Sequence, residues 1–215
     1  MLSLPIAGAR RFLFLGAHSD DIEIGCGGTI LSLLGDLPEA EVLWVVFSAD
    51  GERIREAKRS ARTFLPKSMK RELRVLDFRT SYFPSQAGQI KDHFETLKGF
   101  APDIVFSHCG HDQHQDHKVL ADLTWNTFRN HLILEYEIPK YEGDLGHPNT
   151  FVPLSEIIAR KKARYLCRFF QTQGNKLWFS EDTFLALARL RGIECASSTG
   201  FAEGFHARKL VVGCS

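Results

Sequence analysis

Arg11-Phe12-Leu13-Phe14-Leu15-Gly16-Ala17-His18-Ser19-Asp20-Asp21 opens as an apolar run and ends, with no spacer, in a histidine and two adjacent carboxylates. Apolar residues at successive rather than alternate positions predict a strand covered on both faces, the habit of a parallel sheet. Similar runs recur at residues 41–47 (EVLWVVF), 73–78 (LRVLDF), 103–107 (DIVFS) and 131–138 (HLILEYEI). Between them, residues 53–64, 89–100 and 115–128 carry apolar side chains at helical spacing. Residues 28–34 do the same, and a helix reaching back to Ile22 would have to pass through glycines. This βαβα alternation predicts an α/β fold: a Rossmann-like, mostly parallel sheet of order 3-2-1-4-5, with helices on both faces in three layers.

Past Pro139 the texture changes. Residues 139–153 hold prolines and glycines and read as an irregular loop at the rim of a site. A largely helical part follows over 154–215, with helices at 155–170 and at 181–190, the second closed by Gly192, and a short returning strand at 205–212. No linker or repeat divides the chain, so residues 1–215 read as a single domain.

Composition narrows the function classes. The 215 residues carry 27 Lys+Arg against 26 Asp+Glu, a formal charge of +1, with 44% hydrophobic and 25% charged residues. That balance is ordinary for a soluble globular protein and gives no bulk attraction to nucleic acid. The five cysteines, Cys26, Cys109, Cys167, Cys195 and Cys214, are odd in number and never form C-x-x-C, which argues for reduced thiols rather than a disulfide framework. No apolar run reaches the ~18 residues of a membrane span. Residues 12–17 are too brief for a signal-peptide core, so a cytoplasmic chain is expected. Nine histidines remain to be explained.

Five of them fall in two clusters, each directly after a strand. The first is His18-Ser19-Asp20-Asp21, and the second runs from His108 to His117 with histidines at 108, 111, 114 and 117. Adjacent carboxylates are costly in a core unless something positive faces them, although Asp20 and Asp21 would also suit the start of a helix. The His114/His117 spacing puts both rings on one side of a first helical turn, with Asp116 free to orient an imidazole. In the expected sheet order the first and fourth strand ends meet at the switch point, where open α/β sheets bind their ligands. One His and one Asp from the first cluster with one His from the second would make a three-donor site with a position left for water. Such a set suits Zn²⁺, and by ligand type also Fe²⁺, Co²⁺ or Mn²⁺.

Taken together, Ala17-His18-Ser19-Asp20-Asp21, His114-Gln115-Asp116-His117, Arg53-x-x-Glu56 and Ala202-Glu203-Gly204-Phe205 resemble the LmbE-like N-acetylglucosaminylphosphatidylinositol de-N-acetylase (PIG-L) family. The resemblance spans nearly the whole chain and rests on the pairing of two distant motifs, A-H-P-D-D-E and H-x-D-H. It implies a zinc-dependent amidohydrolase acting on an N-acetylglucosamine-like sugar or conjugate, with His18, Asp21 and His117 as metal ligands. It further implies Asp20 as general base, His114 as acid or oxyanion stabiliser in its imidazolium form, and Asp116 holding His114. Arg53 would line the substrate site, and Glu203 would make a structural contact near it. An assembly of copies walling the pocket would fit the family. Tyr136, Tyr141, Asp144 and His147 are candidates to meet sugar hydroxyls from the rim.

Three positions depart from the pattern. Ser19 stands in place of proline, Ile22 in place of glutamate with Glu23 one residue later, and Phe201 in place of tyrosine. Two other functions compete. Glu23-Ile24-Gly25-Cys26-Gly27-Gly28 imitates the glycine-rich loop of a methyltransferase, but such a loop follows its strand directly, and here His18 to Asp21 intervenes. A non-catalytic metal- or carbohydrate-binding protein would need His18, Asp21 and His117 but not Asp20.

Overall fold

The structure is a computed structural model and describes residue 6 and residues 8–211. In chain order the elements are β1 (Arg11–Gly16), α1 (Asp21–Leu33), β2 (Glu41–Val46), α2 (Gly51–Phe64), β3 (Lys70–Val75), α3 (Phe83–Leu97), β4 (Ile104–His108) and α4 (Gln115–Thr127). They continue with β5 (Leu132–Tyr136), β6 (Thr150–Leu154), α5 (Glu156–Phe169), α6 (Glu181–Glu194) and β7 (Phe201–His206). The seven strands form one sheet of order β3-β2-β1-β4-β5-β7-β6. The first five are parallel in the expected order, and β7 and β6 extend the sheet antiparallel beyond β5.

The strand patterns explain the layering. In β1, Phe12 and Phe14 point into a core shared with α1, α2, α5 and α6, while Leu13 and Leu15 point into a second core built by α3 and α4. Each central strand is therefore apolar at successive positions through its middle, because both faces are covered. β1 lies between β2 and β4, so its carboxyl end is the switch point of the sheet.

The structure corrects several expected boundaries. β3 is Lys70–Val75 rather than 73–78: KRELRV is an edge strand whose charged side chains reach solvent, so its apolar signal is weak. α3 begins at Phe83, where Pro84 occupies the first turn, six residues before the expected start. The rim segment is irregular only to residue 149, because Thr150–Leu154 pairs as β6; Pro153 is tolerated there on an edge strand. Gly192 does not close α6 but lies within it, packed against the backbone of Gly200, where a Cβ would come within 2.2 Å of the carbonyl oxygen. The last strand is Phe201–His206 rather than 205–212, so the C-terminal part is not purely helical; residue 212 and Cys214 lie outside the described residues.

α1 is the least regular helix. Cys26 (φ −139°, ψ 19°) leaves helical geometry and breaks it in two. Glu203 of β7 and Lys162 of α5 fill the break: the Gly28 and Thr29 amides donate to the Glu203 carboxylate at 2.8 and 2.6 Å, and Lys162 Nζ donates to the Ile24 carbonyl and to Glu203 at 2.5 Å each. In an unbroken helix the Gly28 amide would donate to the Ile24 carbonyl. Here a buried ion pair stands between those two groups. Gly25 meets the Tyr136 ring so closely that a Cβ would lie 2.2 Å from it. The glycines of 23–28 thus serve helix packing, not a nucleoside loop.

Candidate active site

The carboxyl ends of β1 and β4 deliver the two clusters to one place. His18 leaves β1, Asp21 opens α1, and His117 lies in the first turn of α4, whose N-cap is His114. His18 Nδ1 is 3.2 Å from His117 Nε2 and 3.4 Å from Asp21 Oδ2, and His117 Nε2 is 3.5 Å from the same oxygen. Three donors bound at about 2.0–2.1 Å in a tetrahedron lie about 3.3–3.4 Å apart. These spacings fit a divalent cation.

The outward side of each ring fits as well. His18 Nε2 is 3.1 Å from Asp116 Oδ2, and His117 Nδ1 is 2.8 Å from Asp112 Oδ2. A carboxylate can only accept, so each outer nitrogen carries a proton; the inner nitrogen of His117 has its lone pair free, and that of His18 offers one when a cation replaces its second proton. Asp116 is held in turn by the amides of Ser81 and Phe83 at 2.6 and 3.1 Å. Among the described residues, two overlapping groups have donor atoms close enough to hold a metal: His18 with His114 and His117, and Asp21 with His108 and His117.

Charge in the cluster is lopsided toward the negative. Burial disfavours charge on His18, but Asp21 and Asp116 outweigh it and hold its pKa at about 10. Burial, then His108, pushes His117 down to about 3. Asp21 stays well below the carboxylate range despite its burial because His117, His108 and His18 surround it. Burial and the neighbouring Asp21 push Asp20 up to about 6, with His18 and then the Lys176 ammonium drawing it the other way. The surroundings of the donor set favour positive charge at its centre.

Two sequence expectations change. The Asp116 carboxylate holds His18 rather than His114; Asp116 reaches His114 with its main-chain N–H, which donates to His114 Nδ1 at 3.2 Å. An Nδ1 that accepts this bond carries no proton, so His114 is the neutral Nε2–H tautomer and not an imidazolium, in line with a pKa lowered by burial and by His18.

Arg53 is half-buried in the first turn of α2, at the same end of the sheet, and its side chain makes no hydrogen bond among the described residues. Glu56 accepts from the Thr172 amide and hydroxyl at 3.0 and 2.6 Å, fixing the segment that carries Lys176. Tyr136 is not on the rim: it is fully buried, donating to the Leu15 carbonyl at 2.5 Å. Asp144 is engaged by Lys140 and the Gln113 amide, while Tyr141 and His147 are exposed.

Sequence reasoning left three neighbours unassigned. Asp112 orients His117, and its only signal was its place in the His108 to His117 run. His108 stacks on His117 at 3.9 Å, with Nε2 accepting from the Ala17 amide at 2.9 Å and lying 3.1 Å from Asp21 Oδ2. Lys140, 2.9 Å from Asp112 Oδ2, comes from the rim and gave no signal.

Comparison with known proteins agrees with this architecture. Residues 13–128, more than half of the chain and both clusters, match the family model PIG-L: GlcNAc-PI de-N-acetylase. The chain is similar in structure to the N,N'-diacetylchitobiose deacetylase of Pyrococcus horikoshii, with 23% identity, 94% of this chain and 85% of that one covered, and a TM-score of 0.72. It is also similar to GalB, the 4-carboxy-2-hydroxymuconate hydratase of Pseudomonas putida KT2440 (17% identity, 96% and 99% covered, TM-score 0.73). A zinc-inhibited form of the teicoplanin deacetylase Orf2 is a third similar structure (15% identity, 90% and 96% covered, TM-score 0.65). At these identities the structures speak for the fold, which serves more than one chemistry. The family match decides further: the chain belongs to the PIG-L (LmbE-like) deacetylase family.

Proposed function

We propose that this protein is a metal-dependent hydrolase that removes the N-acetyl group from an N-acetylglucosamine-like sugar or conjugate. One observation carries the reading: two imidazoles, each with a carboxylate on its outer nitrogen, converge with Asp21 at spacings of 3.2–3.5 Å beyond the switch point of the sheet. His18, Asp21 and His117 would hold the ion, and this nitrogen and oxygen set suits zinc. Bound there, such an ion supplies Lewis acidity toward the amide carbonyl and acidifies water.

The protein's own groups do the rest. Asp20 lies beside Asp21 without belonging to the convergent trio and serves as general base, taking the proton of the attacking water. A carboxylate whose pKa is lifted to about 6 accepts that proton and returns it to the leaving amine more readily than an ordinary aspartate. His114, neutral with its proton on Nε2, donates to the oxyanion that forms on the acetyl carbonyl. Asp116 acts on His18 and Asp112 on His117, each fixing the tautomer that frees an inner lone pair. Collapse of the tetrahedral species breaks the C–N bond and releases acetate and the free amine. Arg53 would meet the substrate from the start of α2.

The test couples metal content to acetate release across a panel of N-acetylglucosamine conjugates, with wild type and Asp20→Asn. Wild type should hold about one equivalent of metal and release acetate, while the variant keeps the metal and slows by about 10²–10⁴-fold. Equal rates would remove Asp20 from the chemistry, and a wild type with neither metal nor acetate release would overturn the reading.

A further inference from the structure

We propose that Lys140, on the loop between β5 and β6, is a positioning residue for His117, acting through Asp112, and so ties the rim of the site to the metal donor set. The inference rests on the metal-dependent reading above. Lys140 Nζ lies 2.9 Å from Asp112 Oδ2, the same oxygen that receives the His117 Nδ1 proton at 2.8 Å. Asp112 Oδ1 receives the His114 amide at 2.8 Å, so the carboxylate cannot turn without giving up a bond. On its other side the ammonium meets both oxygens of Asp144, at 2.7 and 2.6 Å, and Asp144 Oδ2 takes the Gln113 amide at 2.6 Å. Lys140, Asp112 and Asp144 side chains are only 7%, 3% and 6% exposed, so these are contacts of a low-dielectric interior.

Two consequences follow from one shared oxygen. An ammonium on Asp112 Oδ2 fixes the oxygen that receives the His117 Nδ1 proton, and with it the plane of the ring and the direction of its inner nitrogen. It also stands between two buried carboxylates that would repel one another without it. The residue that sets His117 therefore comes from the rim, and a displacement of the rim reaches the ligand through two contacts.

The full-length protein, stripped of metal by a chelator, is titrated with Zn²⁺ against a competing indicator. Lys140→Met should weaken binding about 10–100-fold, the range typical of lost outer partners of a metal-bound histidine, and Lys140→Arg should recover most of it. Asp144→Asn, which removes one charge from the far side of the ammonium while leaving Lys140 on Asp112, should leave Zn²⁺ affinity unchanged. Should Lys140→Met fail to fold, Lys140→Met/Asp144→Asn removes the cation together with one of the two carboxylates and should show the same affinity loss. Wild-type affinity in a folded variant lacking Lys140 would overturn the inference and reduce Lys140 to a strap on the rim. A wild type that takes up no Zn²⁺ would instead overturn the metal reading, and this inference with it.

Discussion

Two buried clusters of charge lie on either side of α1 and are built on opposite plans. Under α1, Lys162 faces Glu203, and nearby Arg191 pairs with Glu137 at 2.7 Å while reaching the Gly146 carbonyl of the rim at 3.1 Å. Each carboxylate there has a cation of its own and each charge is spent on backbone groups. At the head of α1, Asp20, Asp21, Asp112 and Asp116 are all buried, and of these Asp112 has Lys140 at 2.9 Å while Asp21 has imidazoles and the His18 amide against it. Balanced charge in an interior is architecture. Charge left lopsided at the end of a sheet, where ligands bind, marks a site that takes up positive charge.

That contrast breaks most sharply at Asp21. Asp21→Asn keeps the shape of the side chain and removes one donor charge, and we expect metal affinity to fall beyond the ~10–100-fold range of outer partners, taking acetate release with it. A retained metal at wild-type affinity would show that the cluster does not depend on Asp21. At the balanced cluster the loss should be one of folding instead. Lys162→Met leaves Glu203 buried without its cation and the Ile24 carbonyl without a donor, and chemical denaturation should register about 3–5 kcal/mol. The molecules that remain folded should bind metal as wild type does.

Between these lies Asp116→Asn, which leaves every donor atom in place but replaces the full acceptor on His18 Nε2. Metal titration should show a loss of about 10-fold or more, with KM little changed. The smallest effect is expected at Glu23, a fully buried carboxyl whose oxygens have no hydrogen-bond partner among the described residues. Burial pushes its pKa well above the ordinary 4.5, so the folded protein holds a proton that the unfolded chain gives up. Stability is then full below 4.5 and falls as pH rises toward the folded pKa. Glu23→Gln should remove that slope and leave the protein more stable than wild type near neutral pH, with no gain in acid. A variant less stable than wild type at neutral pH would mean that Glu23 has an ionised role.

The sequence made the parallel core readable because β1, β2 and β4 are covered on both faces and announce themselves as unbroken apolar runs. It was silent where strands lie at edges. β3 alternates charge with half-buried residues, and β6 carries a proline, so neither shows the period that a core imposes. The site divided in the same way. His18, Asp20, Asp21, His114 and His117 stand out because polar groups directly after apolar strands are forced to the carboxyl edge of the sheet. Which carboxylate serves which imidazole was not legible, since Asp116 and His18 are 98 positions apart and meet only in three dimensions. Lys140 was hidden for the same reason: its partners become its partners only when the rim folds over β4.

The break in α1 bears on how the protein is made. Asp20 and Asp21 are synthesised long before Lys162 and Glu203, yet the helix they open is completed by those two residues. β1 and β2 are parallel and joined through that same broken helix. During translation α1 lacks the carboxylate that receives its Gly28 and Thr29 amides until Glu203, 175 and 174 positions further on, has left the ribosome. A nascent chain stopped short of Glu203 therefore carries Asp21, the proposed donor on α1, at the head of an unfinished helix.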